Sequence, residues 1–301
     1  MAGLTLKESM DMTNDQLKAG VIETIATESK LLAVLPFLTI EGGGYSYNVE
    51  TELSDVQFRG VNEAYEPSKA GKERKTEHLV ILGGEAVVDS FQAEVHSDIN
   101  DLLAVETTLL VKSMAHEFER TFLSGDAEAD PNQFDGLRKR IEDSGAVLSY
   151  GEDDGVGSLA DNIDILIDSV QGGADALIMN KATRRKLTRE ARDSVTYDKN
   201  EFGVQLTQYG GIDIIDVESE ILPTNNEVYG LRFGAQEAVS GLQSRSGLNI
   251  KPLGEQDASP QLKNRIEWFV GMAVFNPNTA AVLDGQDGAP GDGSGDGGTT
   301  E

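Results

Sequence analysis

Apolar residues recur at helical spacing from Asp98 to Gly125, and this stretch predicts one long helix, Ile99 to Leu123, around which the rest of the chain is arranged. Ile99, Leu102, Leu103, Leu110, Met114, Phe118 and Phe122 form a stripe that drifts slowly round the axis, as a buried face does. Asp98 is placed to cap the first turn, Asp101 puts negative charge near the positive end of the helix dipole, and Ser124-Gly125 supplies the stop. At about 1.5 Å per residue the helix is roughly 37 Å long, enough to cross a whole domain.

The remaining pattern falls on either side of that beam. Residues 12–35 read as an amphipathic helix with Leu17, Val21, Ile25, Leu31, Leu32 and Leu35 on its apolar face, a polar start at Thr13-Asn14-Asp15, and a stop at Pro36. Phe37 to Asn48, with Gly42-Gly43-Gly44 and then alternating Tyr45, Tyr47 and Val49, predicts a strand entered through a flexible joint, an arm more than a core. From Thr51 to Val88 the chain turns polar. Phe58 and Val61 lead into a basic tip at Tyr65 to Lys75, and Leu79 to Val88 returns as a second long strand. A two-stranded ribbon with so little apolar content is marginal alone and is expected to lie on something else.

After the long helix, Leu159–Val170 and Lys181–Arg192 predict helices flanking a short buried strand, Ala176–Met179. Further strands are expected at Val204–Gln208, Ile212–Val217, Tyr229–Phe233, Val239–Leu242 and Leu248–Pro252, with a final extended stretch at Gln261–Asn276. The Gly- and Asp-rich tail from Asp284 lacks apolar clusters and is expected to be disordered without a partner.

Composition narrows the function. The 301 residues can bury a large core, and the absence of cysteine removes disulfides, thiolate metal sites and thiol chemistry. No apolar run approaches the roughly 18 residues of a membrane span, and the first residues lack a signal-peptide layout, so a soluble protein outside that export route is expected. Against 52 acidic residues stand 25 basic ones, a net charge of −27, which disfavours free nucleic acid and anionic membranes as direct ligands. Such a surface suits either concentrated salt, as in a halophilic host, or ordinary solubility, and composition does not choose between them.

Catalytic motifs are missing. His78, His96 and His116 lie on different elements, and His116-Glu117 has no second histidine at zinc-helix spacing. Glu106, on the apolar stripe, fits a subunit junction better than a catalytic or metal-ligating role. Gly151–Gly155 and Asp284–Gly288 have calcium-loop composition without the bidentate Glu of an EF-hand, which favours solvated acidic loops. Lys181, Arg184, Arg185, Lys186, Arg189 and Arg192 read as an exposed face balancing local acid rather than a polyanion site. There is no Walker loop, dinucleotide fingerprint or nucleophile elbow.

The order of these parts resembles the major capsid proteins of tailed double-stranded DNA bacteriophages and their archaeal relatives, the Hong Kong 97-type fold. The series, more than any one motif, carries the resemblance: an arm, an extended loop, a long helix ending Leu123-Ser124-Gly125-Asp126, then Phe134-Asp135-Gly136-Leu137. Ala174 to Asn180 leads to a helix, followed by Gly211 to Ile215, Tyr229 to Gly234, and Arg265-Ile266-Glu267-Trp268 running to Phe275-Asn276-Pro277-Asn278.

The resemblance implies an α+β fold with an N-terminal arm (1–50), extended loop (51–88), peripheral domain with the spine helix (89–136), axial domain (137–254), peripheral return strand (255–283) and acidic tail (284–301). It implies a structural virion protein without catalytic residues, cofactors or bound metal. Such a protein is assembled in the host cytoplasm into the pentamers and hexamers of an icosahedral shell around double-stranded DNA, without sequence-specific contact. An encapsulin-like compartment of the same fold is the alternative. The arm begins at Met1, leaving no room for a long scaffolding segment, so a separate scaffolding protein is expected, with a portal and cement or turret proteins as further partners and no membrane. Lys69, Lys72 and Lys75 with Asn276 and Asn278 have the residue types of the covalent crosslink some relatives make, but no carboxylate partner is identifiable and none is expected. The inter-subunit contact residues expected are Lys69, Lys72, Arg74, Lys75 and Glu106.

Overall fold

The structure, a computed structural model, describes residues 5–6, 16–52, 54, 56–65, 68–69, 71–95, 102–149, 157–199, 205–224, 226–256 and 259–285. Asp98, Ile99, Asp101, Thr13 to Asp15, His96 and the Gly151–Gly155 loop lie outside these residues.

Where periodicity predicts one N-terminal helix there are two, α1 (Gln16–Glu28) and α2 (Lys30–Val34), divided at Ser29. Ser29 leaves the helical region (φ −111°) and its Oγ accepts the Leu32 N–H at 3.1 Å, so it caps a new helix instead of continuing the old one. Pro36 then stops the helical run, and β1 (Phe37–Ile40) follows. This segment is packed into the body: Phe37 is fully buried, and β1 pairs in parallel with a strand two hundred residues later, Phe37 opposite Gly241. A side chain on Gly241 would meet the Phe37 ring at 2.3 Å, so the backbone there has to be bare.

The chain continues through β2 (Gly44–Glu52), β3 (Gly71–His78), β4 (Val80–Asp89), α3 (Ser90–Val95) and the long helix α4 (Leu102–Ser124). Then come α5 (Leu137–Ser144), β5 (Val147–Ser149), α6 (Leu159–Ser169), β6 (Ala176–Asn180), α7 (Lys181–Glu190), β7 (Val195–Lys199), β8 (Gln205–Tyr209), β9 (Ile212–Val217) and β10 (Val228–Leu231). The two strands expected at 239–252 are one, β11 (Val239–Gln256), which turns back as β12 (Ser259–Val274) before β13 (Ala280–Asp284).

Among the described residues these strands form a four-stranded sheet, β1-β11-β12-β4, a seven-stranded sheet, β5-β13-β10-β6-β9-β8-β7, and the ribbon β2-β3. The return stretch is thereby divided, with β12 in the first sheet and β13 pairing with β10 and β5 in the second. The core between the two sheets is centred on α4. Val111, Met114, Ala115, Phe118 and Phe122 are buried at spacings of three and four, as one helix face requires. Phe118 stacks on Trp268 of β12 at 5.4 Å and touches the rings of Phe37, Phe122 and Phe134 at 6.2, 5.9 and 6.0 Å. Leu110 is half-buried, lying over Gly84 of β4, whose missing side chain makes room for it.

The seven-stranded sheet is covered on both faces, which is why β6 reads as a continuous apolar run. Ala176 and Ile178 face the α4 core, whereas Leu177 and Met179 face α6 and α7 and join a second core with Ile163, Leu166 and Leu187.

Candidate assembly surface

The ribbon β2-β3 leaves the body at a well-anchored base. Tyr47 packs on Phe275 at 4.7 Å, and its hydroxyl donates to the Val274 carbonyl and to Glu77 Oε1, each at 3.1 Å. Burial, and then the Glu77 charge, push that hydroxyl above the ordinary phenol range. Arg140 of α5 grips Glu77 through both terminal nitrogens, with the longer hydrogen bond at 2.7 Å. Further out the strands are held by their ladder and by polar cross-strand pairs such as Ser46–Thr76, whose hydroxyls are 2.8 Å apart. Eight residues of strand carry the far end roughly 26 Å from the base.

The expected basic tip is corrected here. Lys72, Arg74 and Lys75 are strand residues of β3, paired opposite Glu50, Asn48 and Tyr47, and only Lys69 lies in the connecting loop. Strand alternation puts Lys72 and Arg74 on one face and Lys75 on the other. No ion pair among the described residues engages these four cations, whereas Lys30, Arg140 and Arg265 each have one. Glu106 is exposed, and Thr107 takes the buried place at that turn, bonding the Leu103 carbonyl at 2.6 Å and receiving Asn264 at 3.1 Å.

What occupies the far end is apolar. Val56, Phe58, Val61 and Tyr65 are 94%, 109%, 92% and 64% exposed. The loop has internal order nonetheless. Glu63 accepts the Gly60 N–H at 2.8 Å, Asn62 adopts the left-handed conformation (φ 71°), and the Arg59 guanidinium lies 5.1 Å over the Tyr65 ring. Four large apolar side chains in water at the end of one projection mark an interaction surface.

Away from the ribbon, the cations of the basic helix meet local acid. Lys181 pairs with Glu218, and Arg184 lies 3.6 Å from Asp216. Among the described residues no group of three metal-ligating side chains is brought together, and no helix is long and apolar enough to cross a membrane.

A family profile described as major capsid protein GP7 matches residues 13–165, just over half of the chain and the part containing the helix pair, the ribbon and α4. The chain belongs to the major capsid protein GP7 family. No curated protein sequence matches this capsid protein. Its fold is that of solved tailed-phage capsids. The Mycobacterium phage Adephagia structure superposes with a TM-score of 0.63 at 13% identity, over 87% of this chain and 91% of that one. The Microbacterium phage Oxtober96 structure gives 0.61 at 14%, over 86% and 91%. The SrpI encapsulin of Synechococcus elongatus PCC 7942 gives 0.62 at 18%, over 85% and 86%. The Hong Kong 97-type fold expected from the order of elements is therefore the fold of this capsid protein, with α4 as its spine helix.

Proposed function

We propose that copies of this capsid protein assemble as pentamers and hexamers of an icosahedral virion shell around double-stranded DNA, each copy reaching a neighbour through its β2-β3 ribbon. The observation that carries this reading is the almost fully exposed Val56, Phe58 and Val61, which gain about 1.5–3 kcal/mol each on complete burial and are covered by none of the described residues. Lys69, Lys72, Arg74 and Lys75 add a cationic stripe that suits the acidic surface of a second copy, as exposed Glu106 suits a junction on the spine helix. Residues 1–50 serve as arm, 51–88 as extended loop, 89–136 and 255–283 as peripheral domain, 137–254 as axial domain and 284–301 as acidic tail. Shell formation asks no catalysis of the chain. A separate scaffolding protein, a portal and cement or turret proteins complete the particle, which forms in the host cytoplasm.

An encapsulin-like compartment is the second reading, supported by the superposition on the SrpI encapsulin. Electron microscopy of the expressed protein, with the ratio of absorbance at 260 and 280 nm of purified particles, separates the outcomes. Closed shells are expected, with nucleic acid when made during infection. Protein-filled shells from infected cells would favour the compartment, and the absence of shells would remove both readings.

Salt provides a further test. With −27 charges on each copy, repulsion accumulates as copies meet, and the screening length falls from about 10 Å at 0.1 M to about 3 Å at 1 M salt. Particles are expected to persist at 1 M salt and to lose integrity on dilution to 0.1 M without divalent cations, followed by light scattering. Particles intact for days at low salt would show that the acidity is ordinary solubility and not adaptation to a saline host.

A further inference from the structure

A buried carboxylate sits where three parts of the fold meet. Glu119 of α4 is 5% exposed, and its Oε1 accepts a 2.6 Å hydrogen bond from Ser29 Oγ, the residue that divides α1 from α2. The same Ser29 oxygen accepts the Leu32 N–H, so one hydroxyl both caps α2 and ties the helix pair to the spine helix. Besides this buried tie, the exposed Lys112–Glu28 ion pair joins α1 to α4.

The charged groups around Glu119 come from every neighbouring element. His116 Nδ1 on its own helix lies 4.0 Å from Oε2. On α2, Lys30 is engaged by Asp216 of β9, which also has Arg184 of α7 3.6 Å away. Glu218, just after β9, is engaged by Lys181. Lys30, Arg184 and Lys181 are thus committed to Asp216 and Glu218, while Glu119 keeps the Ser29 hydroxyl, the His116 ring at 4.0 Å and two negative neighbours. Burial, against the lowering effect of the Ser29 hydrogen bond and with added repulsion from Glu218 and Asp216, pushes its carboxyl up to about 7. Two of these neighbours, His116 and Glu218, line an open cleft of about 470 Å³.

We propose that the burial of Glu119 beneath the α1–α2 helix pair is a proton-operated latch that holds the pair against the spine helix, tight while Glu119 is protonated and loosened when it ionises. Because the docked carboxyl titrates higher than a free glutamic acid, docking is strongest below about pH 4.5, weakens as pH rises toward 7 and is level beyond it. Lowering the pH through this range closes the latch. The helix pair leads directly into β1 and the ribbon.

Hydrogen exchange of the full-length subunit tests this. Amides of residues 20–34, corrected for intrinsic rate, are expected to lose protection by about 50- to 100-fold between pH 5 and pH 8. Glu119→Gln, an isosteric neutral side chain, should keep the helix pair protected with less than about a threefold change across the same range. Ser29→Ala removes the one hydrogen bond that favours the carboxylate, so the upper end of the transition should move to higher pH, an effect that loss of a helix cap alone would not produce. Equal pH profiles for wild type and Glu119→Gln, or an unmoved transition in Ser29→Ala, would overturn the proposal.

Discussion

Phe118→Ala is expected to destabilise the soluble subunit by about 3–5 kcal/mol, measured by urea denaturation. The ring is fully buried and joins α4 to both halves of the core, stacking on Trp268 of β12 while contacting Phe37 of β1 and Phe134 after the helix. Removing it empties a space walled by four rigid aromatic rings, which close into a void less readily than aliphatic chains do. Leu109→Ala, nine residues earlier on the solvent face and 51% exposed, should cost less than about 1 kcal/mol. Similar losses at the two positions would mean that α4 presents a different face to the sheet.

The second large effect concerns assembly and leaves the fold alone. Replacing Val56, Phe58 and Val61 together by serine should change subunit stability by no more than about 0.5 kcal/mol per site, because these side chains are almost fully exposed. If they are buried between copies, the lost transfer energy is about 1.5–3 kcal/mol per residue, and each 1.4 kcal/mol is a factor of ten in the association constant. The yield of closed particles should collapse, by electron microscopy or sedimentation, with circular dichroism unchanged. Replacing Lys72, Arg74 and Lys75 by Glu should act differently. Exposed ion pairs are worth only about 0.2–1 kcal/mol each, so that triple should raise the salt concentration at which particles form, with yield recovering at 1 M. A serine triple that assembles normally would place the tip free in solution.

The difference between these two variants reflects what the sequence displays and what it conceals. The spine helix is legible because its buried positions carry large apolar residues at helical spacing, and β6 because a strand covered on both faces has to be apolar throughout. β3 is concealed for the opposite reason: Lys72 to Glu77 contains no apolar residue, so no period exists to read, and only its ladder with β2 makes it a strand. That hidden strand is why the cations appear to form a tip when they line an edge.

β11 reads as two strands because Ser244 to Gly247 breaks the alternation, where the register slips between Gln243 and Leu248. Phe37 looks like part of an arm because its partners, Gly241 and Trp268, are more than two hundred residues away in sequence. Glu106 falls on the apolar stripe by phase, yet the buried place goes to Thr107, which can satisfy its hydroxyl against the Leu103 carbonyl and Asn264 whereas a carboxylate would have to be desolvated. The latch residue Glu119 gives no signal in sequence at all, since it is one glutamate among many until the fold brings Ser29 to it.

The account turns on where residues 56–65 lie when copies come together. A cryo-electron-microscopy reconstruction of assembled particles measures that directly. The account predicts an icosahedral shell in which Val56, Phe58 and Val61 of each copy are buried against a neighbouring copy; a shell in which that loop stands in solvent, with all contacts made elsewhere, would contradict it.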